Sequence, residues 1–351
     1  MEATLMRQTK EYKGLPEEHW HKQNFCWYIH DIIISIFRDC IENDKLNTNV
    51  TFKDEDHARR FNRTDNQLKW LYENGYADKA DIIISKQVFY GILSDMFHFI
   101  YESLSAIEKG KIAVSLALLR KPFRDNLLYL EWLLGNPKEF IGLVYKGDID
   151  AYAIEYIDTE KKKQIIKNAL CLIDNKDFFS KMNEKVYYDL RYNYEAGNSL
   201  QGAWNKANHL VTTKPGIRSA EFNFVFLNEE IHVEFVDYYF RQVPHLLFYT
   251  YCLVIKLYNN LIRRVATSTS YYNNSLIVFK FSDSVREVDA AEYFNQNTKV
   301  LLSFPCLDCK KVIKIEVGSK EFESFRTGWS FSCPDCKNSI NICKYVFWED
   351  Y

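Results

Sequence analysis

Two Cys-x2-Cys pairs near the end of this chain, Cys306-Leu-Asp-Cys309 and Cys333-Pro-Asp-Cys336, constrain its folding more than any other feature. Two residues between cysteines let a tight turn direct both thiolates at one metal ion, and a second pair completes the tetrahedral shell that structural zinc prefers. Between the pairs, Ile313, Ile315 and Val317 alternate with Lys314 and Glu316, as expected of a half-buried strand. Trp329 and Phe331 keep the same period before the second turn, and Ile340, Ile342 and Val346 suggest a further strand. Residues 299–351 are therefore expected to form a small β-rich module around one structural Zn2+, with Cys306, Cys309, Cys333 and Cys336 as ligands. Two disulfides are the alternative, disfavoured wherever thiols are kept reduced. Four thiolates leave no open coordination position, so the expected metal is structural rather than catalytic.

This pattern resembles the zinc-ribbon family over residues 299–348. Ribbons of that kind often contact nucleic acid or another protein. Here Lys and Arg nearly balance Asp and Glu across the module, which gives no electrostatic preference for nucleic acid.

The preceding 265 residues read differently. Phe89, Leu93, Met96, Ile100 and Leu104 recur every three or four positions, and Val236, Phe240, Val243, Leu247, Tyr251, Val254, Tyr258, Leu261 and Val265 continue one stripe along a long helix. Residues 111–135 are apolar nearly all round, as in a helix surrounded by others, with Pro122 expected to kink or restart it. Other helices are expected over 16–44, 54–72, 137–144, 159–173, 177–194 and 199–209, and a loop over 211–226. The fold class expected is mainly α: a multi-helix bundle over 1–265, a linker with a short strand (276–281) and helix over 266–298, then the ribbon.

The chain has 45 Lys and Arg against 47 Asp and Glu, so it lacks the overall positive charge that drives non-specific nucleic-acid binding. Its first 14 residues contain no apolar core like that of a secretory signal, and the apolar stretch 243–255 falls short of the roughly 20 residues a membrane span needs. A cytoplasmic protein without a membrane partner is the expectation. Cys26, Cys40, Cys171 and Cys252 lie in apolar helical surroundings and are read as buried, inert thiols.

Three sets of polar residues stand out in the helical part. Arg120, Arg124 and Glu131 share one face of an otherwise apolar helix, expected to form either an internal ion-pair network or an anion site. Asp95, His98 and Glu102 share a helix face, consistent with a metal site or with a solvated surface. His209 ends the run Asn205-Lys-Ala-Asn-His209 and is a candidate general base.

The run Arg120-Lys-Pro-Phe-Arg-Asp125, followed much later by Asn205-Lys-Ala-Asn-His209, resembles a bacterial helical-bundle family related in architecture to HEPN and abortive-infection proteins. The resemblance implies a defence or stress-response protein that acts on RNA or senses a nucleic-acid or nucleotide signal. Its chemistry would be that of a metal-independent ribonuclease, in which an arginine and a histidine both reach the scissile phosphate. The family separates that arginine from the histidine by four to six residues, and Gly202, Ala203 and Trp204 stand in those places here. Either the activity is absent, or Arg120 or Arg124 supplies the charge to His209 from another helix. The competing expectation is a non-catalytic zinc-ribbon adaptor that binds a protein partner or a second copy of itself.

Overall fold

A computed structural model describes residues 12–42, 44–174, 182–213, 218–219, 221–224 and 229–265, separate positions between 270 and 284, and residues 303–306, 308–314 and 330–341. It is mainly helical. The chain enters through a 3-10 turn, Glu17–His19, that leads directly into α1 (Trp20–Glu42). Next come α2 (Glu55–Arg63), α3 (Gln67–Glu73), α4 (Ala77–Ile107) and α5 (Ile112–Arg120). After a π-helical turn over Lys121–Asn126 follow α6 (Leu127–Gly135), α7 (Pro137–Lys146), α8 (Ile149–Tyr152) and α9 (Thr159–Leu170). The bundle ends with α10 (Glu184–Arg191), α11 (Leu200–Asn208) and α12 (Glu229–Leu261).

The core lies where α1, α4, α5, α6 and α12 pack together. Phe89, Leu93, Met96, Ile100 and Leu104 are all buried, as their spacing predicts, and so is the α12 stripe from Val236 to Tyr258. The apolar stretch 243–255 is thus core, and among the described residues no helix is long and apolar enough to cross a membrane. Gly135, at the end of α6, lets α9 approach closely: a Cβ there would lie 2.7 Å from Asn168 Cβ.

Several local expectations are corrected. The single helix expected over 54–72 is two, because Thr64 is extended and the Asn66 side chain caps a new helix by accepting the Lys69 N–H. The short helix α8 was not anticipated; Asp148 caps it. Pro122 does not restart the helix but sits in a widened π-helical turn that joins α5 to α6. Of the four scattered cysteines, Cys26, Cys40 and Cys252 are buried, whereas Cys171, just past α9, is exposed.

The strand expected at 276–281 is also corrected: Ile277, Val278, Lys280 and Phe281 are helical. Phe281 packs in the bundle against Phe25, His245 and Phe248, so burial against existing helices overrides the local strand pattern. The rest of the expected 266–298 linker, the expected strand beyond Asn341, and Cys343 lie outside the described residues.

Near the C-terminal end, β1 (Ser303–Pro305) pairs antiparallel with β2 (Val312–Lys314), and β3 (Ser330–Ser332) pairs with β4 (Ser339–Asn341). These are two separate hairpins, each closed by one Cys-x2-Cys turn.

Candidate metal centre and the charged turn of the bundle

Each hairpin tip is built in the same way. The Cys306 N–H bonds Lys311 O at 2.8 Å, continuing the ladder one rung beyond Pro305–Val312, and the Lys310 N–H returns to Cys306 O at 3.1 Å. In the second tip the Cys333 N–H bonds Asn338 O at 2.9 Å and the Lys337 N–H returns to Cys333 O at 3.0 Å. Both turns close through a lysine in the left-handed region, Lys310 at φ 61° and Lys337 at φ 64°. Every landmark of one tip has its counterpart in the other: Cys306 and Cys333, Cys309 and Cys336, Lys310 and Lys337. Asp308-Cys-Lys310 and Asp335-Cys-Lys337 spell out that equivalence in the sequence, a signal that the cysteine spacing alone overlooks.

The tips bring four thiols to one point. Cys306 Sγ lies 3.6 Å from Cys336 Sγ and Cys309 Sγ 3.8 Å from Cys333 Sγ, and all four sulfurs fall within 4.8 Å of one another. Such separations suit four ligands around one ion, since a Zn–S bond of about 2.3 Å sets tetrahedral S···S distances near 3.8 Å. They are far longer than the roughly 2.05 Å of a disulfide, and the cysteines are free thiols. Cys306 and Cys333, the first of each pair, are buried, and Cys309 and Cys336 are half-buried. The backbone N–H of Cys336, helped by that of Asp335, holds the Cys333 thiol down to about 7 against the effect of burial. At Cys336 the Asn338 amide acts in the same sense, but burial and the crowding thiols outweigh it and push the group up to about 12. The residues fit a soft divalent metal such as zinc, held by thiolates alone.

In the bundle, the polar residues do not converge as the sequence suggested. Glu131 is fully buried, but its partner is Arg191 of α10: Arg191 Nη2 donates to both carboxylate oxygens at 2.8 Å, and Tyr249 OH donates to Oε1 at 2.9 Å. Burial alone would lower the guanidinium, but the carboxylate beside it holds Arg191 above its ordinary range. The same guanidinium explains how the π turn is tolerated. Pro122 has no N–H, and Leu127 N–H bonds Pro122 O, five residues back, instead of Phe123 O. Phe123 O instead accepts from Arg191 Nη1 at 3.3 Å, and Arg124 O accepts from Tyr192 OH.

Arg120 is exposed at the edge of this turn. Arg124 is used locally, with Nη1 2.8 Å from Asp125 Oδ1 and 3.5 Å from Glu155 Oε1. Burial raises the Asp125 carboxyl above its ordinary value, against the pull of Arg124 and Arg120. Neither arginine pairs with Glu131, which corrects the shared network expected from their spacing; the actual partner lies 60 residues away in sequence, and no local pattern announces it.

Asp95 likewise serves packing. It accepts from Lys121 Nζ at 2.7 Å and Asn126 Nδ2 at 2.8 Å, tying α4 to the π turn, while His98 and Glu102 are exposed. Burial would raise its carboxyl, but these two donors hold it below the ordinary value.

His209 is the exposed C-cap of α11. Its backbone O accepts from Asn223 Nδ2 at 2.8 Å, so the loop returning from α11 folds back upon it. That loop exposes Leu210, Val211, Phe222 and Phe224, the two Phe rings stacked at 5.5 Å. Among the described residues no hydrogen bond or ion pair joins Arg120 or Arg124 to His209. Comparisons with protein-family models, curated proteins and solved structures each give no match, so no relative supports the HEPN-like resemblance.

Proposed function

We propose that this chain is a zinc-stabilised interaction protein, in which the paired hairpins form a ribbon around one structural Zn2+ and the bundle carries no reaction of its own. One observation carries the reading: four thiols converge within 4.8 Å, and four thiolates fill a tetrahedral shell with no position for water or substrate. The ribbon then acts as an adaptor toward a protein partner or a second copy of the chain. The internal use of Glu131, Arg191 and Arg124 agrees with this, because their charges meet within the fold. Sedimentation of the zinc-loaded protein tests it. Self-association that is lost in Cys309→Ser, with the helical signal retained, supports the adaptor.

A second reading, an RNA-directed defence or stress protein of HEPN-like type, draws support from the loop beside His209. Exposed aromatic rings are surfaces on which unpaired bases stack, and the Phe222–Phe224 pair lies in the loop tethered to His209. Incubation with total RNA and single-stranded oligonucleotides separates the two. Cleavage that disappears in His209→Ala establishes the enzyme and removes the purely structural account of the bundle; intact RNA leaves the adaptor.

A further inference from the structure

A second group of metal-ligating side chains lies where the 3-10 turn before α1 meets α12. Glu18, His19 and Asp237 each offer one ligand atom, and the three atoms fall within 4.8 Å of one another. We propose that these residues bind a divalent transition cation through two carboxylates and one imidazole, with water in the remaining positions.

The sequence brings Glu18 and His19 together on one short turn, and the packing of α1 on α12 delivers Asp237 from 218 residues away. The environment of His19 is unusual for an ordinary surface pair. Its side chain is only 7% exposed, its ring stacks on Phe240 at 4.8 Å, and Nε2 points at Asp237 Oδ1 across 2.7 Å. Nδ1 is buried without a hydrogen-bond partner, so the ring is fixed by stacking and by whatever lies at Nε2.

Asp237 Oδ1 faces that nitrogen directly, and a Glu18 carboxylate oxygen completes the trio of ligand atoms. Among the described residues neither carboxylate pairs with a lysine or arginine. A divalent ion bound at Nε2 would replace the His19–Asp237 hydrogen bond and take both carboxylates as ligands. Mixed oxygen and nitrogen donors suit manganese, iron or zinc, whereas thiolates favour softer ions, so this site and the four-cysteine centre differ in preference. Metal-bound imidazoles usually donate their other N–H to an acceptor, and losing such a partner weakens binding by about 10- to 100-fold. A site of modest affinity is therefore expected, one that clasps the entry of α1 to α12.

Mn2+ is the probe, because it competes poorly for thiolates. The zinc-loaded full chain is titrated with Mn2+, free ion being followed by electron paramagnetic resonance, and thermal melting is recorded with and without Mn2+. The expected result is one Mn2+ per chain, with affinity falling at least about tenfold in both Asp237→Asn and Glu18→Gln, and a Mn2+-dependent rise in melting temperature absent from both. Glu18 is exposed, so its variant keeps the test valid even if Asp237→Asn loosens the fold. No uptake at millimolar Mn2+, uptake unchanged in both variants, or weakening in only one of them overturns the three-ligand site.

Discussion

In the hairpins, four thiols reach one point through two turns of nearly the same sequence, while in the bundle Glu131 meets an arginine that stands 60 residues further along the chain. Both centres place polar groups where water is scarce, but they answer that problem differently. The thiol centre is local and repeated: each turn is closed by its own backbone hydrogen bonds, and the four thiols meet between them. The ionic centre is single and non-local. It needs α6, α10 and α12 in place before its hydrogen bonds exist, and it also satisfies a carbonyl left over by the π turn. The first should fail by losing its metal and leaving the helices intact; the second should fail together with the bundle.

The largest effect is expected in the hairpins. Binding free energies of about 10 to 16 kcal/mol are usual for structural zinc, so Cys309→Ser should unfold them while most of the far-ultraviolet helical signal survives. Circular dichroism and hydrogen exchange on the variant check this; helices that melt with the hairpins would erase the contrast.

Next comes the buried pair. Removing one partner of a buried ion pair costs about 3 to 5 kcal/mol, whereas replacing both with apolar groups of similar volume is often neutral. Arg191→Met should therefore be severely destabilised, and Arg191→Met combined with Glu131→Leu should recover much of the loss by chemical denaturation. Full recovery is not expected, because Phe123 O loses the Arg191 donor in both variants and Tyr249 OH loses the Glu131 acceptor in the double one. A double variant no better than the single one would show that the carbonyl, not the carboxylate, is what Arg191 holds.

Arg124→Gln should cost less, because Arg124 meets its partly exposed chain neighbour Asp125 and the largely exposed Glu155 rather than a fully buried acid. A thermal melt measures it. A large loss of RNA cleavage without a matching loss of stability would instead favour the RNA-directed reading.

The smallest effect is a change of shape. The Asp95 carboxyl is held below its ordinary 3.8, so the stability it contributes is complete above that pH and is lost as pH falls through the folded value. Asp95→Asn should flatten the acid limb of the stability curve below about pH 4. A limb of unchanged slope would remove Asp95 from the contacts that fasten the π turn.

How much could be read in advance follows the same division. The clustering of the four cysteines was legible because chemistry fixes their spacing within each turn, and the main helices were legible because burial imposes a period on Phe89 to Leu104 and on Val236 to Tyr258. Arg120, Arg124 and Glu131 shared a helical period too, but a π turn inserts itself at Pro122 and changes which face each residue occupies. Arg191 carries no local mark at all. Its role is set by α10 packing beside α9 and under the π turn, and that information is spread over the whole bundle. The strand pattern at 276–281 misled for a related reason: apolar residues in a short run serve a helix equally well when a bundle is there to bury them.

One zinc ion held by Cys306, Cys309, Cys333 and Cys336 is proposed to support the hairpins independently of the bundle. The most direct measurement counts zinc per chain in protein purified without chelator, then withdraws it with a chelator while helical signal and released metal are followed together. One zinc per chain is expected, with a helical signal that stays largely unchanged as the metal leaves. Zinc well below one per chain, or helices that unfold in step with its release, would contradict it.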